Sequence, residues 1–520
     1  MRASIIALSV FVSGLFVVFA VYAYGRFGRR LQGPASAALK PESGQTELDR
    51  LAAPLLEAHA GFNGIALISD NMAAFTLRAL SARRAGRSLD LQYYYWKNDL
   101  TGRMLTREVL AAADRGVRVR LLLDDINAGL HDRMCLSLDG HPNIEVRLFN
   151  PSRARTDRFK RGFEMMLRPF RATRRMHNKQ WIADGRLVIA GGRNIGDAYF
   201  DADEQSNFRD LDVWMLGPVA DDAAAVFDRY WNSPVVVPIG SLRTPRMHYL
   251  PAFRTKLERI AATSGGRHYL AHVEAAIEDG ALLPAKVALH WTGAARLVSD
   301  PPEKAFLQKR DNNWIMRELM PVLTSAQRDV RVISPYFIPG AVGIAEIGRL
   351  VKRRVKVDVL TNSLAATDVA AVHGAYANYR KALLRSGTTL FELKATHASG
   401  DPQRMSLFGS RAASLHTKAF TVDGRTGFVG SMNFDPRSAS LNTEMGVLFT
   451  HPGLVAEVEA IFAEETRPEN SFRLSLDKGR LRWHDRQDEE PRVLRREPEA
   501  GFWRRLTAGV IGVLPIESQL

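Results

Sequence analysis

The feature that most constrains how this chain can fold is that it is written twice. The segment MHNKQWIADGRLVIAGGRNIGDAYF from Met176 is answered by LHTKAFTVDGRTGFVGSMNFDPRS from Leu415. His177 matches His416, Lys179 matches Lys418, Asp184 matches Asp423, Gly191 matches Gly430 and Asn194 matches Asn433, all at one offset of 239. Upstream, SLDLQYYYW from Ser88 parallels DVRVISPYF from Asp329, each a strand-like apolar run ending in aromatics. Each leads through a helix-like stretch to a second strand, GVRVRLLLDD from Gly116 and RVKVDVLTNS from Arg354. Strand, helix, strand and hairpin in both copies predict a duplicated α/β sandwich whose two pseudo-twofold halves share one active site. The expected organisation is an N-terminal segment over 1–30, a first half over 31–235, a connector or insertion over 236–320, a second half over 321–470 and a basic tail over 471–520.

The repeated residues also carry chemistry. Asp184-Gly185 and Asp423-Gly424 read as two-residue hairpin turns between strands. Counting outward from such a turn sets His177 opposite Gly192 and Arg175 opposite Asn194. Side chains alternate along a strand, so His177 and Lys179 share a face with Asn194, around a spot that glycine leaves open. The second copy offers His416, Lys418, Ser431 and Asn433. Two such sets facing each other suit attack on the phosphorus of a phosphodiester. A neutral imidazole is the nucleophile, a second imidazolium protonates the leaving alkoxide, and lysines and asparagines stabilise the phosphoryl oxygens; no metal or other cofactor is needed. Asp184 and Asp423 fit turn formation better than proton transfer. Each histidine needs an orienting carboxylate. Glu204 lies 27 positions after His177 and Glu444 lies 28 after His416, with Asp210 and Asp212 as rivals for the first role. Whether each acid serves its own half or the opposite one stays open.

The ends point to lipid. Ala3 to Tyr24 holds no charged residue, and a helix of that length spans roughly 33 Å, enough for a bilayer core. A cleaved signal peptide is the alternative, but the run exceeds the usual apolar region of one. Arg26, Arg29 and Arg30 after it place the body on the cytoplasmic side by the positive-inside rule, against the competing Arg2. Phe502-Trp503-Arg504-Arg505-Leu506 and the apolar run after it read either as an interfacial helix or as one docked on the protein's own core. The formal charge of +15 calls for a polyanionic partner. Ten basic residues between Arg153 and Lys179 lead into the first histidine and suit anionic headgroups. Tyr93 to Trp96 read as packing, and His373 as a solvent-facing or core residue. The single cysteine, Cys135, excludes an intrachain disulfide framework.

The doubled H-x-K-x4-D with G-[GS]-x-N resembles the phospholipase D superfamily, over most of the chain from about Leu55. The flanking text, including QYYYWKNDLTGRML, EVRLFNP, SPYFIPG, NSLAATDVAAVHGAYANYRKALL and the terminal LPIE, is similar to the bacterial cardiolipin synthases. The resemblance implies a membrane enzyme with phospholipid substrates. It further implies that a phosphatidyl-histidine forms, with His177 as nucleophile and His416 as general acid, and that its phosphatidyl group passes to phosphatidylglycerol. Phosphatidylethanolamine is a candidate donor, a helper protein is left open, and nucleic acid is not expected. Competing readings are plain phospholipase D hydrolysis, which shares every catalytic residue, a nuclease, which the two greasy ends disfavour, and a silent membrane scaffold, which the intact double set disfavours.

Overall fold

In a computed structural model of the chain, residues 2–27, 32–42, 44–125, 132–152, 173–204, 206–242, 249–278, 282–283, 287–306, 314–395, 412–487, 490–512, 514 and 517 are described. Most of the basic run, 153–172, lies outside them. The first half contributes strands β1 (Asn63–Ile68), β2 (Ser88–Tyr93), β3 (Arg118–Asp124), β4 (Ile144–Phe149), β5 (Gln180–Ala183), β6 (Leu187–Gly191), β7 (Ser206–Arg209), β8 (Asp212–Leu216), β9 (Val236–Pro238) and β10 (His290–Thr292). All but β7 form one sheet, in the order β10-β1-β8-β6-β5-β2-β3-β4-β9.

The second half contributes β11 (Ala295–Ser299), β12 (Asp329–Ile333), β13 (Lys356–Asn362), β14 (Thr389–Leu393), β15 (Ala412–Leu415), β16 (Ala419–Val422), β17 (Thr426–Gly430), β18 (Met445–Thr450), β19 (Ser471–Asp477), β20 (Arg480–Gln487) and β21 (Glu490–Leu494). Its sheet runs β11-β18-β17-β16-β12-β13-β14-β19-β20-β21. Strand for strand, β1-β8-β6-β5-β2-β3-β4 in one sheet corresponds to β11-β18-β17-β16-β12-β13-β14 in the other. The duplication in the sequence is therefore a duplication of topology. Because β11 holds the place of β1, the second unit starts near Ala295, inside the stretch expected to be connector. That stretch also supplies β9 and β10 to the edges of the first sheet.

Alternation along the strands sends neighbouring side chains into different cores. Ile65, Ile182, Val188 and Val213 meet Ile333, Val429, Val447 and Phe449 in one core that belongs to both sheets. Leu89, Trp181, Ile189 and Trp214 face the other way, into a core of the first half alone. Val330, Val332, Phe420 and Phe428 do the same in the second half. The two halves are thus joined by apolar burial, and their motifs meet at the seam.

The hairpins depart from the expected register by one residue. Ala183 pairs with Leu187 and Val422 with Thr426, so three residues separate the paired ends, where two were expected. Asp184 and Gly185 both adopt left-handed φ, 54° and 67°, and Arg186 N–H closes the turn on Ala183 O at 2.9 Å. This is the backbone of a two-residue primed turn, with Arg186 added as a bulge that shifts the pairing. Asp423, Gly424 and Arg425 repeat it.

A helix over Arg2–Phe27 carries exposed Ile5, Leu8, Phe11, Phe16 and Phe19. Among the described residues no helix is long and apolar enough to cross a membrane. The following extended segment is fastened to the first half, where Arg147 donates to Pro34 O at 2.6 Å and Ala38 N–H to Asp228 at 2.8 Å.

Candidate active site

The two HxK segments meet across the seam in a crossed arrangement. β15, which leads into His416, pairs in parallel with β7, which leads into Asp210. Its counterpart is the parallel bridge between Met176 and Thr443, one residue before His177 and one before Glu444. The His177 N–H donates to Thr443 O at 2.9 Å and the His416 N–H to Arg209 O at 2.7 Å. Each motif of one half is thereby laid beside the acid of the other. The ring contacts follow: His177 Nδ1 lies 2.8 Å from Glu444 Oε2, and His416 Nδ1 hydrogen-bonds Asp210 Oδ2. With Nδ1 committed to a carboxylate, each imidazole is left with Nε2 for chemistry.

Glu204 does not take the expected role: it is exposed, and Asp210 holds the position. The reason is an insertion. Gly191 pairs with Asp212, and Gly430 with Gly446, so Asp210 and Glu444 sit at equivalent points two residues before them. The offset there is 234, not 239, because the first half carries five extra residues between its glycine and its acid. Counting from histidine therefore lands on the wrong residue. Aligning DLDVWML on EMGVLFT finds the right one. Asp212 instead pairs with buried Arg78 at 2.8 Å.

Gly192 and Ser431 are not equivalent in use. A Cβ at Gly192 would stand 2.2 Å from Asp210 Oδ1, so the glycine makes room for that carboxylate. Ser431 donates its hydroxyl to Glu444 Oε2. Asp184 and Asp423, the aspartates of the repeated motif that fit turn formation better than proton transfer, lie in the turns. Asp184 accepts from the N–H groups of Gly86, Arg87 and Ser88, and Asp423 from those of Gln327, Arg328 and Asp329. They fasten each hairpin to the entry of the neighbouring strand.

Asn194 donates to the Tyr199 hydroxyl at 3.1 Å, which also accepts from Tyr95 OH at 2.8 Å and lies 3.4 Å from His416 Nε2. Asn433 is buried, and among the described residues its Oδ1 has no hydrogen-bond partner. Arg175, expected opposite Asn194, lies 3.5 Å from Asp124 instead. Tyr94 presents an edge to His177 and Tyr199 an edge to His416, both with ring centroids 5.1 Å apart. Neither tyrosine was singled out as a neighbour of the histidines by sequence reasoning; an aromatic at the end of a strand carries no mark of what it faces.

Lys179 and Lys418 donate to the carbonyls of their own histidines and are almost wholly buried. Burial holds both ammonium groups below their usual range, Lys418 at about 8. Burial, helped by Lys179 and Lys418, holds His177 well below the ordinary imidazole value, so its ring is neutral. His416 is lowered by burial and Lys418 too, but the Asp210 carboxylate pulls it back upward. The acids differ as well. Burial pushes Glu444 up to about 7, whereas the His416 and Lys418 charges more than offset burial at Asp210 and keep it low. Both imidazoles are thus pulled down, His177 the further, while at His416 the ionised Asp210 offsets part of the pull.

Among the described residues, one trio has metal-ligand spacing: His373, Glu392 and Glu497, within 4.8 Å of one another. Arg380 lies 3.0 Å from Glu392 and 2.5 Å from Glu497, so a guanidinium already balances these acids. Buried His373 belongs to this structural network, as expected of a core residue.

The family described as "Cardiolipin synthase, PLD-like domain" matches at residues 81–231 and 319–466, once per half. The chain belongs to that family. Its relatives in the cardiolipin synthase family include cardiolipin synthase C of Escherichia coli (strain K12), 41% identical over 476 residues, covering 89% of this chain and 98% of that one. Cardiolipin synthase B of the same strain is 25% identical over 359 residues, 69% of each. Among solved structures, phosphatidylserine synthase of Haemophilus influenzae Rd KW20 shares the fold, with a TM-score of 0.56 at 14% identity over 88% of this chain and 95% of that one. The protein is accordingly an enzyme of the phospholipase D type.

Proposed function

We propose that the protein is a cardiolipin synthase that moves a phosphatidyl group onto phosphatidylglycerol through a phosphatidyl-histidine. The observation that carries this is the crossed pair of carboxylate-held imidazoles, unequal in proton affinity, at the seam of the duplicated fold. His177, neutral and held by Glu444, attacks the donor phosphorus through Nε2. The bond from phosphorus to the headgroup oxygen breaks, and the Nε2 proton of His416 goes to that oxygen. His416, now neutral, then takes the proton of the free glycerol hydroxyl of phosphatidylglycerol. The oxygen attacks phosphorus, the P–N bond breaks, and His177 leaves neutral. Lys179, Lys418, Asn194 and Asn433 supply the donors for the phosphoryl oxygens, once Asn194 turns from Tyr199 toward the bound anion. Asp210 holds His416 in the tautomer that presents Nε2.

The helix over Arg2–Phe27 is the membrane anchor in this reading, supported by its uncharged run and exposed apolar side chains. Arg26, Arg29 and Arg30 set the body on the cytoplasmic side of the bacterial inner membrane. The decisive experiment is the product spectrum of purified enzyme given phosphatidylglycerol with and without phosphatidylethanolamine, beside His177→Ala and His416→Ala. Cardiolipin formed by the wild type and by neither variant is the expected result. Phosphatidic acid in its place would make the protein a hydrolase.

A further inference from the structure

Setting aside the helix at 2–27, the exposed large apolar side chains are not scattered. Among the described residues, Leu39 and Phe62 stand apart; the rest are Val342, Val369, Val493, Phe502, Trp503, Leu506, Val510 and Leu514, all in the second half or the tail after it. Four of them, at 502, 503, 506 and 510, fall on one side of the C-terminal helix (Phe502–Gly512) at helical spacing. Trp503 is 74% exposed and Phe502 69%. The opposite side is docked, which settles one of the two sequence readings of this tail. Ala508 is buried against the helix Ala370–Ala377, where a Cβ at Gly374 would stand 2.4 Å from Ala508 O. Asn378 donates to Gly512 O at 2.8 Å. The helix is thus seated on the protein by one face and turns an apolar stripe outward on the other.

Its seat lies next to the pocket. Arg504 donates to Leu364 O at 2.7 Å and also to Thr367 O, gripping the loop that follows β13. The next residue of that loop, Asp368, accepts from the Tyr336 hydroxyl at 2.8 Å, and its charge is felt by His416 and Lys418. Val369 follows immediately, and Val342 stands six residues beyond Tyr336. The apolar stripe, Val369 and the catalytic wall are therefore linked through this loop. Exposed Arg492, Arg495 and Arg496, with exposed Glu499, precede the helix in the chain, a net cationic approach to it.

We infer that the outward face of the C-terminal helix, with Val342 and Val369, is the surface on which the catalytic body rests on an anionic lipid bilayer, so that the pocket opens at the headgroup level. Apolar side chains enter the acyl boundary while the bordering arginines meet anionic headgroups. This rests on the lipid-substrate reading above. It adds to an N-terminal anchor, which tethers the chain without fixing which way the pocket faces.

The test is Trp503→Cys in the full chain, labelled with a polarity-sensitive fluorophore. Cys135, the only native thiol, is buried and does not compete. Bound to phosphatidylglycerol vesicles, the label is expected to shift to the blue, more than on vesicles of zwitterionic lipid alone. Emission unchanged from detergent solution on either vesicle overturns the inference, because insertion of the N-terminal helix alone leaves position 503 in water. A blue shift that grows with protein concentration in the absence of vesicles overturns it in favour of a contact between copies. A triple variant, Phe502→Ser, Trp503→Ser and Leu506→Ser, is expected to lose at least tenfold in transfer between lipids in vesicles; unchanged transfer also overturns it. The fluorescence reading needs no turnover, so this surface can fail while the chemistry stands, and the reverse.

Discussion

The two histidines of this enzyme look alike in sequence and live differently. On one side, His177 is held by Glu444, a longer acid that Ser431 supports and that burial lifts to about 7. On the other, His416 is held by Asp210, a shorter acid accommodated by Gly192 and kept ionised by its cationic neighbours. A tyrosine hydroxyl stands 3.4 Å from the reactive nitrogen of His416. At the position equivalent to Tyr199 the second half has Ser438. A duplicated fold supplies two equal imidazoles; in the proposed reaction, small changes around them divide the labour into a nucleophile and a proton carrier.

The hardest blow to that division is removal of each ring in turn. His177→Ala and His416→Ala are both expected to cut multiple-turnover transfer by about 10⁴-fold or more. They part company with a donor whose leaving group needs no proton, such as a p-nitrophenyl phosphodiester lipid. His416→Ala should still label itself covalently, and His177→Ala should not, as read by intact-protein mass. The opposite pattern would reverse the roles.

The carboxylates come next, each worth about 10²- to 10³-fold in kcat/KM when replaced by its amide. The wild-type kcat/KM should rise as Glu444 ionises through about 7 and fall above about 8 as Lys418 loses its charge. Glu444→Gln should abolish the limb near 7, while Asp210→Asn should leave that limb in place and lower the plateau. A profile in which both variants keep the limb would detach it from Glu444.

Much of this was legible before any coordinates. Both histidines, both lysines, the crossing as an open question and the duplicated α/β plan came from one diagonal of self-similarity, because catalytic identities and hairpin turns repeat residue by residue. What escaped were features that self-similarity blurs. The five-residue insertion before Asp210 moved the acid off the diagonal, and Glu204 filled the vacated spacing by coincidence. β11 went unseen because ARLVS shares no marked residue with NGIALI, its counterpart; only the sheet order relates them. The bulge at Arg186 and Arg425 shifted a register that an Asp-Gly turn alone sets one residue differently.

A smaller effect probes the supports of the two acids. Gly192→Ala forces a methyl group against Asp210 and should lower kcat by about 10- to 100-fold through misplacement of His416. Ser431→Ala removes one hydrogen bond to Glu444 and should cost closer to tenfold. Because that bond lowers the Glu444 pKa, its loss should also move the acid limb upward from about 7. Equal effects of the two substitutions, with no movement of the limb, would mean that the glycine and the serine are interchangeable supports.

The smallest expected effect on chemistry falls on the aspartates of the repeated motif. Asp184→Asn and Asp423→Asn keep a side chain that tolerates left-handed φ and one carbonyl acceptor, but lose the charge that gathers three N–H groups. Asp184 is buried, so its replacement should cost about 1–3 kcal/mol of stability; Asp423 is part exposed and should cost about 1 kcal/mol or less. Thermal unfolding should rank the two in that order, and kcat per folded molecule should stay within about twofold of wild type in both. The ranking follows from burial, because water can replace the lost acceptor at Asp423 and cannot reach Asp184. A fall in kcat of a hundredfold at unchanged stability would instead place these residues in the reaction.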